Sequence, residues 1–181
     1  MPEVEAVRSD QEVREAIENI DLEPIKVKLM DKDEGQGWTL NQANEIEVWY
    51  RRFLFLSWKH QEQSIVPNKL VDKFWHQHIL DTRKYAEDCE RIFGFFFHHF
   101  PYFGMRGAED KANLDSCFTE TNELFVQEFG AAMPIEMDGS GSCDSCGKDS
   151  CSHSGWCSKC DGRKEDIINN KVRPTLATIG A

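Results

Sequence analysis

Residues 39–60 read TLNQANEIEVWYRRFLFLSWKH. Thr39 followed three residues later by Gln42 is a capping-box pattern. The threonine oxygen accepts from an orphan backbone N–H, and the glutamine side chain reaches back to the cap. Ile46, Trp49, Tyr50, Phe53, Leu54 and Leu56 then recur mostly at three- and four-residue steps, giving a broad apolar face through to about His60. That period is helical.

The neighbours on both sides read the same way. Upstream, Ser9 and Glu12 form a second capping-box pattern, and Val13, Ala16, Ile17 and Ile20 follow at helical steps. Leu22 to Met30 is ambiguous: Ile25, Val27 and Leu29 alternate as in a strand, while Leu22, Ile25 and Leu29 fit a helix. Its helical surroundings favour helix. Asp31 to Gly37 is a polar loop with two glycines. Downstream, residues 61–64 and Pro67 break the pattern. A helix starts near Asn68 and carries Leu70, Val71, Phe74, Trp75 and His78. Asp81 suits the N-cap of the next helix, which runs to Gly94. Phe95 to Phe103 is dense in aromatics around Pro101 and is expected to be a buried, irregular crossing. A last helix runs from about Glu109 to Phe129, with Gly130 as its C-cap. The expected fold is all-α: an irregular bundle of five or six helices over residues 8–130. A linker (131–142), a small Cys-rich metal-binding segment (143–162) and a polar tail (163–181) follow.

Composition narrows the function. No apolar run approaches the roughly 18 residues of a membrane helix. The acidic start, Met1-Pro-Glu-Val-Glu, lacks the form of a signal peptide, so a cytoplasmic location is expected. Residues 1–138 hold 15 Lys/Arg against 27 Asp/Glu, and residues 139–181 hold 6 against 5. An acidic body lacks the basic footprint of a nucleic-acid binder, so no nucleic-acid partner is expected. Walker loop, G-x-S-x-G, H-E-x-x-H and G-x-G-x-x-G patterns are all absent.

Two constellations carry chemistry. The first is Cys143-x2-Cys146-x4-Cys151-x-His153-x3-Cys157-x2-Cys160. Two Cys-x2-Cys pairs supply four thiolates, the tetrahedral set that zinc prefers. The segment has few apolar residues besides Trp156, so bound metal would supply its folding energy. Cys151 and His153 are reserve ligands. Zinc is the expected cofactor, an iron–sulfur centre the weaker alternative.

The second runs from Val71 to Cys89 and on through His98-His99 to Tyr102, and it holds four of the six histidines. On a helix His76 and His78 lie about 200° apart and do not share one ion. Asp72 and His76 are an i, i+4 pair, so the carboxylate is placed to hold a ring nitrogen. Asp81, Tyr85 and Cys89 repeat the same spacing. In the functional reading, one or both of His76 and His78 join His98 or His99 around a ligand or metal. In the structural reading these side chains bond backbone carbonyls and pin the aromatic loop. Cys89 beside Asp88 and Glu90 reads as a buried thiol with no activation.

Val66-Pro67, Val71-Asp72-x2-Trp75-His76-x-His78, Tyr85-x2-Asp88-Cys89 and His98-His99 together resemble the glycine-rich domain-containing protein-like family, most strongly from about Ile25 to Phe129. The resemblance implies a helical body in a bacterial member and transfers no catalytic residue. Plant members carry long glycine-rich tails, whereas this tail is short and Cys-rich. The sequence therefore reads first as a non-enzymatic binding or adaptor protein with a zinc knuckle presented to an unidentified protein partner. An enzyme with a His-rich site in the body is the alternative, and a metal-handling protein the third reading.

Overall fold

The structure, a computed structural model, describes residues 8–134. Six helices and no strands occur among them: α1 (Asp10–Glu18), α2 (Glu23–Met30), α3 (Leu40–Lys59), α4 (Lys69–Leu80), α5 (Thr82–Phe93) and α6 (Ala108–Phe129). The all-α reading holds. The Cys-rich segment and most of the linker lie outside the described residues.

Helix α3 is the axis, packed against α1, α2, α4 and α6. Phe53, Leu54, Phe55, Leu56 and Ser57 are five consecutive buried residues, so this stretch is covered on every side. Both capping boxes form: Ser9 with Glu12 opens α1, and Thr39 with Gln42 opens α3. Arg51 on α3 donates to the carbonyls of Ile17 and Ile20 and pairs with Glu47 at 2.7 Å. A guanidinium with five fixed donors satisfies the orphan carbonyls at the end of α1 and an adjacent carboxylate together.

The α2 ambiguity resolves as helix. Ile25 and Leu29, four residues apart, are buried, while Val27 is 65% exposed. Strand alternation would have placed all three on one face.

Helices α4 and α5 meet at Asp81, which ends the first and caps the second by accepting from the Lys84 N–H at 3.4 Å. Asn68 caps α4 by accepting from Leu70 and Val71. Gly94 ends α5 at φ 77°, a left-handed turn that favours glycine. The aromatic loop 94–107 then folds back. Its far end is held by Asp110, in the first turn of α6, which accepts from the backbone N–H groups of Gly104 (2.7 Å) and Arg106 (3.1 Å).

Two expectations need adjustment. The aromatic loop is irregular, but it is not buried throughout. Phe95 and Phe96 stay partly in solvent: Phe95 rests on Phe93 and Phe96 edge-on against Tyr85, both of α5, and each keeps more than two-fifths of its surface exposed. The body also extends past Gly130. Met133 is buried in the core, and Asn68 donates to the Pro134 carbonyl. An apolar Met that finds core space stays attached to the body.

Candidate metal centre

The histidine-rich motif separates into two clusters on opposite sides of α4. The inner one is sealed. His78, 1% exposed, faces α3 and lies 2.8 Å from the Tyr50 hydroxyl through Nδ1 and 3.0 Å from Asp88 Oδ2 through Nε2. A neutral ring with its proton on Nε2 satisfies both partners: Tyr50 donates to Nδ1, and Nε2–H donates to the carboxylate. Lys84 adds a second donor to Asp88 at 2.8 Å. Burial raises the Asp88 carboxyl, but the hydrogen bonds from His78 and Lys84 outweigh it and leave its pKa below the ordinary value. Burial holds the Tyr50 phenol well above its usual range. Every member of this chain has a partner, which is the signature of a satisfied core network.

A second buried knot ties the aromatic loop to the helices. The Tyr85 hydroxyl accepts from Trp75 Nε1 at 2.8 Å and donates to the Phe97 carbonyl at 2.5 Å. Burial raises both the Tyr85 phenol and the Cys89 thiol, with Asp88 adding slightly at Cys89. Cys89 is therefore a neutral thiol in the core. The Trp75 ring stacks on Phe97 at 5.0 Å and 14°, and it also packs against the His99 ring at 4.4 Å. The Trp75 ring thus contacts both Phe97 and the residue two further along the loop.

That placement brings His99 to the outer cluster. Asp72 and His76 sit one turn apart on the exposed side of α4, and His99 comes to them from the loop. The three contacting atoms form a small triangle. His76 Nε2 and His99 Nε2 are 3.0 Å apart, His99 Nε2 and Asp72 Oδ1 3.1 Å, and His76 Nε2 and Asp72 Oδ1 3.5 Å. A proton on His99 Nε2, shared between His76 Nε2 and Asp72 Oδ1, accounts for the two hydrogen-bonded edges, and the third edge, at 3.5 Å, sets two acceptor atoms side by side.

A cation satisfies all three at once. Zinc binds imidazole nitrogen and carboxylate oxygen at roughly 2.0–2.2 Å, and the circle through these three atoms has a radius of about 1.9 Å. An ion about 1 Å off the plane lies at bonding distance from all three atoms. The donor set, two imidazoles and one carboxylate, suits zinc and iron(II) among first-row metals. Among the described residues, Asp72, His76 and His99 are the group of His, Cys, Asp or Glu side chains close enough to hold an ion.

The other sequence candidates fall elsewhere. His78 belongs to the core network. Asp81 is an exposed helix cap, and His98 is an exposed ring against Phe96 at 4.8 Å. Trp75 and Tyr85 position the loop. Cys143, Cys146, Cys151, His153, Cys157 and Cys160 lie outside the described residues. Sequence reasoning passed over Tyr50 and Lys84 as partners of the inner histidine. Lys84 and Asp88 carry a readable i, i+4 pairing, whereas Tyr50 sits 28 residues from His78 and has no local signal.

Comparison with known proteins adds a family and no activity. A family model described as UCP032817-like matches residues 12–122. The match covers more than half of the chain and both histidine clusters, and the protein belongs to that family. No curated protein and no solved structure matches it.

Proposed function

We propose that the helical body is a divalent-metal-binding domain whose ion is held by Asp72, His76 and His99. The observation that carries this reading is the convergence of two imidazole nitrogens and one carboxylate oxygen, from α4 and the aromatic loop, to within 3.5 Å of one another. The alternative in which each side chain bonds only backbone finds no support, since these three face one another. Zinc is the first metal to test, and the reading favours the enzyme or metal-handling class over a purely structural adaptor.

The test is metal content by elemental mass spectrometry on the full-length protein, after metal addition and gel filtration. It is run in a background where Cys143, Cys146, Cys151, Cys157 and Cys160 are serine, so that tail thiolates do not contribute. About one zinc per chain is expected, and Asp72→Ala, His76→Ala and His99→Ala should each lose most of it. His98→Ala should keep it. A background protein that holds no metal, or an H99A variant that binds as well as its parent, sinks the reading.

A second metal reading rests on the spacing of the tail alone. Two Cys-x2-Cys pairs support a zinc knuckle that presents a surface to a protein partner. Such thiolates need a reducing compartment, and the cytoplasm fits. Restoring the five cysteines to the background protein should raise zinc content by about one more ion.

A further inference from the structure

Resting on the metal reading above, we infer that this centre is open. Its ion keeps a coordination position for water, which exchanges for an anionic oxygen group, a carboxylate or phosphate, of a substrate. The centre is then a Lewis-acid site rather than a closed pin between α4 and the aromatic loop.

The first reason is the ligand count. Structural zinc sites close with four protein ligands, whereas catalytic ones use three and leave the fourth position to water or substrate. The group here has three members among the described residues. The nearest further histidine in sequence, His98, is turned away onto Phe96, and His78 is committed to Tyr50 and Asp88.

Access is the second reason. Asp72 and His76 keep 36% and 49% of their side-chain surface in solvent, so water reaches the ion from the side opposite the core. His99, at 15%, is the seated ligand with its ring against Trp75. A site meant only to clip the loop would have its ligands covered, as the Tyr85 hydroxyl that ties the same loop is covered.

Charge is the third. A divalent ion with two neutral imidazoles and one carboxylate carries one net positive charge. On a chain of formal net charge -11 it is a localised positive centre, and it attracts the anionic end of a small molecule. Metal-bound water or a bound carboxylate or phosphate oxygen fills the same position, so the two compete.

The experiment uses the full-length protein with the five tail cysteines as serine, loaded with cobalt(II), whose visible absorption reports its coordination. Sodium azide, acetate and inorganic phosphate are titrated separately. The expected result is a saturable change in the cobalt spectrum with azide and with at least one of the two oxygen anions. The responding anion identifies the substrate group as carboxylate or phosphate. H76A, which removes a ligand, should abolish the spectrum itself. Stoichiometric cobalt whose spectrum ignores all three anions means a closed centre; it overturns this inference and leaves the metal reading standing. A response to azide alone overturns the assignment of the substrate group. Failure to bind cobalt at all is a failure of the metal reading, and this inference falls with it.

Discussion

Tyr85→Phe is the most informative single substitution, because it removes one oxygen and leaves the ring. The Tyr85 hydroxyl makes two bonds: it accepts from Trp75 Nε1 and donates to the Phe97 carbonyl. Losing it strands a buried indole N–H and a partly covered carbonyl. Each buried group left without a partner costs about 1–3 kcal/mol. Phe97 is only half-buried, so water relieves part of the second loss. The expected destabilisation is about 2–3 kcal/mol. With a urea m-value of about 2 kcal/mol/M, the midpoint falls by about 1–1.5 M at unchanged slope. The same bond holds the loop that seats His99, so zinc affinity should drop as well, while D72A and H76A weaken zinc with little change in the urea midpoint. A Y85F midpoint within 0.3 M of the parent, with unaltered zinc affinity, would refute the idea that this hydroxyl positions the loop.

Acid should weaken the fold through Asp88, whose pKa lies below the ordinary carboxylate value. A depressed carboxylate contributes stability above its unfolded pKa of about 3.9, and that contribution is lost as pH falls through the lower folded value. Urea midpoints measured from pH 6 downwards should therefore fall off below about pH 4, with a shallower acid slope in Asp88→Asn. Equal slopes in the two proteins would remove Asp88 from the account. Gly104→Ala should cost more than Gly130→Ala, by up to about 1 kcal/mol, in thermal or urea unfolding. Both glycines are left-handed, at φ 87° and 74°, but a Cβ on Gly104 meets Leu114 Cδ2 at 2.5 Å and one on Gly130 meets nothing within 4 Å. Indistinguishable variants would show that Leu114 moves aside freely.

Much of this is legible in the sequence, for identifiable reasons. Helix starts are local: Ser9 with Glu12, Thr39 with Gln42, and Asn68 all act within three residues of themselves. The opposition of His76 and His78 is also local, since a helix fixes it. Which of the two faces inward is legible too, since His78 follows Val71, Phe74 and Trp75 at helical steps; its partner Tyr50 on α3 is not, because 28 residues separate them. The choice between His98 and His99 depends on the register of a loop without regular hydrogen bonding, and it is His99 whose ring packs on Trp75. Phe95 and Phe96 look like core by composition alone. Their rings rest on Phe93 and Tyr85 of α5, yet each stays more than two-fifths exposed, which composition does not show. The residues quoted for the family resemblance include all three members of the outer triangle, although nothing in their spacing told the triangle from the inner network.

The bond from Asn68 to the Pro134 carbonyl fixes where the rest of the chain departs. Asn68 is the cap of α4, one helical turn before Asp72. Cys143 follows Pro134 by nine residues, a contour of at most about 32 Å. Were the outer triangle and the tail cysteines both to bind an ion, as proposed above, the tail would be an attached competitor whose strength does not fall on dilution. An affinity measured on the full-length chain would then be a partition between two sites of one molecule, and transfer between them a first-order event.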